Sequence, residues 1–272
     1  VRRSEFASGG EIMLGDVGTM LLGEQRRAYA GWAVSRAGDV DGDGLEDVLV
    51  GACGTERGGS EADEDEGSAY LVTGDNIAGQ SVMELFDAER TWYGEDFHSY
   101  VGYDVAGVGD VDGDGRPDIA ISGLMGDSEG HYPGGVFLVF GGELIASGPI
   151  ESAPVRFSGV DMDGQFGREV SGGGDVDGDG LADVLIGAMT GGFDMEGMAV
   201  LWLGDQIGFE GDHSAEDAFT VIYGDGSEAY LGAGLSSAGD FDGDGRADLA
   251  IGAHNTQTEH GRVGVMGVFF TD

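Results

Sequence analysis

Four segments of this chain align with one another without a gap, and each carries the same acidic core. They are residues 31–53 (GWAVSRAGDVDGDGLEDVLVGAC), 102–124 (GYDVAGVGDVDGDGRPDIAISGL), 167–189 (GREVSGGGDVDGDGLADVLIGAM) and 232–254 (GAGLSSAGDFDGDGRADLAIGAH). The first aspartates of the cores are Asp39, Asp110, Asp175 and Asp240, spaced by 71, 65 and 65 residues. A phased repeat of this period means that each unit is one supersecondary structure, stacked on its neighbours to bury a shared core.

Each unit reads as β-structure. A short run rich in Val, Ile and Leu follows each acidic core, at 48–50, 119–121, 184–186 and 249–251. Runs this short, bounded by glycine, suit buried strands better than helices. A second apolar strand follows at 69–72, 136–140, 199–203 and 263–269, and a third at 82–86, 155–157 and 219–223. With the strand ahead of the core, that makes four strands per repeat, the pattern of a β-propeller blade. The expected fold is all-β: a single propeller domain, 1–272, with four blades of four antiparallel strands at about 31–88, 101–159, 166–224 and 231–270. The fourth blade lacks its last strand. Residues 19–22 (TMLL) precede the first repeat as 219–223 precede the fourth. A strand at about 18–23 is therefore expected to join the last blade and close the ring, which removes two open edges. Residues 11–14 (EIML) resemble the strand before that one and read as the vestige of a further blade. A closed four-blade ring is expected to be a monomer.

Composition excludes several functions. The 12 basic residues are all Arg, against 52 Asp and Glu, for a net charge of −40. Such a chain repels phosphate backbones and anionic membranes, so no nucleic-acid partner is expected. Without Lys there is no Schiff-base chemistry and no P-loop. With 40% hydrophobic residues the chain can still bury a core, which argues against disorder. No apolar run is long enough to span a membrane. The chain starts at Val1 without an apolar leader and reads as a processed or trimmed form. The single Cys53 forms no intrachain disulfide and reads as a buried residue. His98, His131, His213, His254 and His260 lack zinc-site spacing, and no G-x-S-x-G elbow occurs. The chain is therefore not expected to be an enzyme.

The acidic core is Asp-x-Asp-Gly-Asp-Gly-x-x-Asp. Its carboxylates, at positions 1, 3, 5 and 9, converge only if the chain curls around a point, and glycines permit that curl. Four carboxylates, a main-chain carbonyl at position 7 and a water supply the six to seven hard oxygens that suit Ca2+. Mg2+, which holds several waters in an octahedron, ranks second. An EF-hand needs an acid at position 12, where this chain has Val50, Ile121, Ile186 and Ile251.

These repeats resemble FG-GAP repeats, the blades of the integrin α-chain propeller. The Phe-Gly pair that precedes the metal loop in that family occurs as Phe166-Gly167, with Val101-Gly102, Leu231-Gly232 and Trp32 as variants. The Gly-Ala that follows the loop occurs as Gly51-Ala52, Gly187-Ala188 and Gly252-Ala253, with Ser122-Gly123 divergent and the family's Pro absent from all four. The resemblance implies one Ca2+ per repeat. Its ligands would be Asp39, Asp41, Asp43, the Leu45 carbonyl and Asp47 in the first, and Asp110, Asp112, Asp114, Arg116 and Asp118 in the second. In the third they would be Asp175, Asp177, Asp179, Leu181 and Asp183, and in the fourth Asp240, Asp242, Asp244, Arg246 and Asp248. It also implies a ligand-binding face opposite the metal loops. There the segment RTWYGEDFHSY sets Trp92, Tyr93, Phe97, His98 and Tyr100 close together, as a glycan or protein partner would use them. The expected role is a secreted or cell-surface adhesion or recognition module. A polysaccharide lyase or a lectin on the same scaffold is the alternative.

Overall fold

The computed structural model describes residues 18–56, 65–126, 130–192, 194–259 and 261–271. The strand expected at 11–14, most of the acidic run 61–66 and His260 lie outside these residues. The described chain is almost entirely β, with four small, mainly antiparallel sheets, one per repeat, and a separate two-stranded parallel sheet.

The strands in chain order are β1 (Met20–Leu22), β2 (Ala33–Gly38), β3 (Asp47–Ala52), β4 (Ser68–Val72), β5 (Val82–Glu84) and β6 (Arg90–Tyr93). The second repeat holds β7 (Val105–Gly109), β8 (Asp118–Gly123), β9 (Gly135–Val139), β10 (Gly148–Pro149) and β11 (Val155–Ser158). The third holds β12 (Phe166–Gly174), β13 (Asp183–Ala188), β14 (Met198–Trp202), β15 (Gly211–Ser214) and β16 (Thr220–Tyr223). The fourth holds β17 (Leu231–Gly239), β18 (Asp248–Thr258) and β19 (Gly261–Phe269). In the first three repeats the antiparallel order is β2-β3-β4-β6, β7-β8-β9-β11 and β12-β13-β14-β16, and the fourth is β17-β18-β19.

Two expectations need correction. The fourth strand of the first repeat is β6, not 82–86. The stretch 82–86 is the more apolar of the two, but β5 within it pairs in parallel with β1. The same step recurs down the chain, where β10 pairs with β6 and β15 with β11. The outer strands β1, β6 and β11 thus each take a parallel neighbour from the repeat that follows, whereas β16 has none among the described residues. The N-terminal strand obeys this rule, so it sits against β5 rather than in the last sheet. Among the described residues no strand pairs with the free edge of β19.

The core lies between successive sheets. Leu49, Leu71 and Trp92 of the first pack on Ile119, Ile121 and Phe137 of the second. Ala120, Leu138 and Phe157 meet Val184, Ile186 and Trp202 of the third. Leu185 and Leu201 meet Leu249 and Ile251 of the fourth. Strand residues on the two faces of one sheet serve two interfaces, which is why these strands read as continuous apolar runs.

The close fit depends on glycine. Gly67, Gly134 and Gly197 form isolated parallel bridges with Val101, Phe166 and Leu231 of the next repeat. A Cβ on Gly134 would overlap the Phe166 carbonyl oxygen, and its φ of +80° is itself a glycine conformation.

Candidate metal centres and the axial cleft

Every first hairpin ends in the same irregularity. The β2–β3, β7–β8, β12–β13 and β17–β18 ladders each shift register just before the loop, at Gly38, Gly109, Gly174 and Gly239. A bulge there turns the chain out of the ladder and into the acidic loop.

Hydrogen bonds then curl each loop. The position 1 carboxylate accepts the N–H of the second loop glycine, as Asp39 does from Gly44 (2.9 Å), Asp110 from Gly115 (2.9 Å), Asp175 from Gly180 (3.0 Å) and Asp240 from Gly245 (3.0 Å). The position 3 residues Asp41, Asp112, Asp177 and Asp242 accept the N–H of Asp43, Asp114, Asp179 and Asp244. Those position 5 carboxylates accept the N–H of Leu45, Arg116, Leu181 and Arg246, closing the turn just ahead of the expected carbonyl ligands.

The curl brings carboxylates together. Oxygens of Asp39, Asp41 and Asp43 lie within 4.8 Å of one another, as do those of Asp110, Asp112 and Asp118, of Asp175, Asp177 and Asp183, and of Asp240, Asp242 and Asp248. The tight group takes position 5 in the first loop and position 9 in the others.

The position 9 aspartates also hold the fold, a role that spacing alone does not reveal. Asp47, Asp118, Asp183 and Asp248 are fully buried at the start of the second strand of each sheet. One oxygen of Asp118 accepts the Val111 N–H and the other the Gly141 N–H, both at 2.8 Å. Asp47 takes Val40 and Gly74, Asp183 takes Val176 and Gly204, and Asp248 takes Phe241 and Thr271. Each staples its loop to the end of the third strand.

The donor set fits a hard cation. It is all oxygen, and Asp39 Oδ1 is buried with no hydrogen-bond donor, so it has a lone pair to offer. Burial pushes the carboxyl of Asp118 up to about 7 and that of Asp183 up to about 6, against the pull of their backbone donors. Burial likewise raises Asp47 and Asp112. A bound divalent ion is the largest local charge in such a site and holds its ligands ionised.

The aromatic group does not assemble as expected. Trp92 is fully buried between the first two sheets and takes no part in a surface. Its neighbours in β6, Thr91 and Tyr93, are half-buried, because strand residues alternate between faces. Phe97 is exposed, while His98 stacks on Tyr100 at 5.9 Å and Tyr100 leans on Tyr132 at 6.1 Å. The left-handed φ of His98 and Tyr100 recurs at Arg27 and Tyr29 and at Glu228 and Tyr230. That conformation therefore belongs to the turn common to the repeats.

A second polar cluster was not foreseen. Trp32, Val34, Tyr103, Asp104, Arg168 and Glu169 line one cleft where the first strands of the repeats converge. The Arg168 guanidinium lies 5.3 Å from the Tyr103 ring centre, and Tyr103 lies 5.7 Å from Trp32. Asp104 accepts N–H bonds from Val105 (2.9 Å) and from Val170 of the next repeat (2.7 Å). Burial pushes Asp104 up to about 6, and burial with the Asp104 charge pushes Glu169 up to about 7. The signal was present in the alignment: Asp104 and Glu169 occupy the repeat position held by Ala33 and Gly234.

Bulged hairpins, glycine-tight joints and Asp-rich loops together define a class of β-repeat. The chain carries FG-GAP repeats, the family profile matching residues 166–201 and 232–266, and such repeats imply propeller blades. It is distantly similar to the N-terminal propeller region of integrin α chains. It is 30% identical to integrin alpha-PS3 of Drosophila melanogaster over 238 residues, 87% of this chain and 20% of that protein. It is 29% identical to integrin alpha-PS2 of the same organism over 241 residues, 84% of this chain and 15% of that protein. It is 28% identical to integrin alpha-V of Gallus gallus over 240 residues, 85% of this chain and 20% of that protein. The chain thus spans a fifth or less of each. Among the described residues no helix is long and apolar enough to cross a membrane.

Proposed function

We propose that the chain is a calcium-binding, integrin-like propeller module, with one structural Ca2+ per repeat, that serves recognition or adhesion rather than catalysis. The observation that supports this most is that all four loops gather three carboxylates with oxygens within 4.8 Å of one another, positions 1 and 3 joined by position 5 in the first loop and by position 9 in the others. Three carboxylates held this close repel one another unless a cation sits among them. Loops of this kind in extracellular modules bind at about 10⁻⁴–10⁻³ M, so free Ca2+ at extracellular levels is needed to fill them. The reading therefore includes a secreted or surface-attached location, in keeping with the likeness to integrin α chains. A protein or glycan would bind on the face that carries Phe97, His98 and Tyr100. Calorimetric titration of chelator-stripped protein with CaCl2 tests the metal part. Four equivalents bound in the sub-millimolar to millimolar range are expected, and no binding heat at 5 mM would sink the reading.

A lectin or lyase is the second reading, and the axial cleft is the feature that favours it. It sets a carboxylate of raised pKa, Glu169, beside Arg168 and two aromatic rings. A glycan array and a screen of acidic polysaccharides for unsaturated product separate these roles. Retention of glycan without turnover supports a lectin, and unsaturated product supports a lyase.

A further inference from the structure

Consecutive acidic loops touch through one recurring contact. The position 8 residue of a loop donates its N–H to the position 1 carbonyl of the loop before it: Ala182 to Asp110 at 2.8 Å, and Ala247 to Asp175 at 2.9 Å. The position 7 side chain beside it covers the first glycine of that preceding loop. A Cβ on Gly113 would come within 2.9 Å of Leu181 Cδ2, and one on Gly178 within 3.4 Å of Arg246 Nε.

The first junction has the same shape and a different donor. Position 8 there is Pro117, which has no N–H. Its ring lies against Gly38, as the Ala182 methyl lies against Gly109 and the Ala247 methyl against Gly174. The link to the first loop comes instead from Arg116, at position 7. Its Nη1 donates to the Asp41 carbonyl at 3.0 Å while its guanidinium covers Gly42. Arg116 thus supplies from a side chain the bond that a proline backbone lacks.

Covalent geometry ties these contacts to the metal sites. The position 7 carbonyl, expected as a ligand, and the position 8 N–H belong to one rigid peptide unit. Leu181 and Ala182 therefore share a unit that faces two loops, with its carbonyl left for the third and its N–H committed to the second. The acceptor, Asp110, carries the position 1 carboxylate of the second loop, which also gathers the N–H groups of Gly113 (2.8 Å) and Gly115 (2.9 Å).

We propose that the metal sites of consecutive repeats are energetically coupled through these contacts, with Ala182, Ala247 and Arg116 as the positioning residues of the three junctions. The inference rests on the reading of the loops as Ca2+ sites. A Leu181 carbonyl engaged by a cation fixes and polarises its peptide, which strengthens the N–H bond to Asp110 and orders the second loop for binding. By linkage, filling the second loop favours the third by the same factor.

Heteronuclear NMR of the 272-residue chain during CaCl2 titration tests this. Gly44, Gly115, Gly180 and Gly245 each donate an N–H to their own position 1 carboxylate, so their amide signals give a midpoint for each loop. Asp177→Asn with Asp179→Asn disables the third site, which the Gly180 signal checks, and is expected to raise the Gly115 midpoint about fivefold. Ala182→Pro removes the shared N–H, with Pro117 against Gly38 as the precedent for its ring. In that background the same two substitutions are expected to leave the Gly115 midpoint unmoved. A shift that persists there is electrostatic and overturns the proposal, as does a Gly115 midpoint unmoved in the wild-type background.

The first junction gives a second test. Arg116→Leu is expected to raise the Gly44 midpoint, although loss of a positive charge by itself would lower it. Arg116→Leu with Pro117→Ala gives the second loop the Leu-Ala pair of the third and is expected to restore the midpoint. A Gly44 midpoint that falls in Arg116→Leu, or is not restored by Pro117→Ala, overturns the role of Arg116. If no loop signal moves at 5 mM CaCl2, the Ca2+ reading itself fails. Four midpoints that respond to Ca2+ but never to one another overturn the coupling alone.

Discussion

Arg116 of the second metal loop donates a hydrogen bond from Nη1 to the main-chain oxygen of Asp41 in the first, at 3.0 Å. Its guanidinium covers Gly42 at the tip of that loop, where a Cβ would come within 3.0 Å of Arg116 Cζ. The position 7 side chain of one repeat therefore braces the loop of the repeat before it. Arg116→Ala is expected to lower stability by about 1 kcal/mol through the lost bond and packing. Urea unfolding measures it. Arg116→Lys is expected to recover less than half, because an ammonium lacks the planar fork.

Asp118 and Asp114 sit in the same loop but are expected to respond differently. The Asp118 carboxylate accepts two buried backbone N–H groups. An amide in its place turns a donor toward one of them, so Asp118→Asn is expected to cost about 2–3 kcal/mol even in chelator, and more in Ca2+, where an oxygen of the metal cluster is lost as well. Asp114 is exposed and accepts one N–H, from Arg116, which an Asn oxygen can also accept. Asp114→Asn is expected to be silent in chelator and to lower stability only in Ca2+. Paired melts in EDTA and in millimolar Ca2+ decide between these outcomes. For the wild type, four sites filled at ten times Kd add about 5–6 kcal/mol, so EDTA is expected to lower the melting temperature by about 10 °C or more.

Gly134→Ala is expected to be among the most damaging single substitutions in the molecule. It combines a left-handed φ with an overlap against the backbone of the next repeat. A loss of about 3 kcal/mol or more is expected, enough to threaten folding of a marginally stable domain. Gly31→Ala shares the left-handed φ but has open space around it. It is expected to cost about 1 kcal/mol in the isolated chain. A comparison of the two melts separates backbone strain from the tight joint.

Glu169 carries a pH signature. Its folded-state pKa, pushed up to about 7 mainly by burial and then by Asp104, exceeds that of an unfolded glutamate. The folded protein therefore binds the extra proton. The stability this brings is present below about pH 4.5 and is lost as pH rises through about 7. Glu169→Gln is expected to leave stability unchanged at pH 4.5 and to raise it at pH 8. Solvent screening at this half-buried position holds the gain to about 1 kcal/mol. Denaturant titrations at the two pH values read the difference, and a gain of equal size at both would contradict this assignment.

Much of the metal site could be read directly from the sequence. Aspartates at fixed offsets and glycines between them act within nine residues, so the curl of the loop is a local matter. The double role of Asp118 was not legible, because its second partner, Gly141, is 23 residues away on another strand. Strand β6 was passed over for the more apolar 82–86 because Trp92 is its one fully buried side chain. The axial cleft was missed because Asp104 and Glu169 are 65 residues apart and meet only when the sheets stack.

The sequence by itself determined the unit of construction: the phased repeat, the acidic loop and the strands that flank it. Each rests on backbone conformations and side-chain bonds between residues close along the chain. The tertiary structure alone decided how the units meet. It placed β1 on β5 instead of β19, turned Trp92 into a core, and gathered Asp104, Arg168 and Glu169 into one cleft. Those outcomes depend on the register between distant strands, which local periodicity does not encode, because an alternating strand offers an apolar face to any partner of the same spacing.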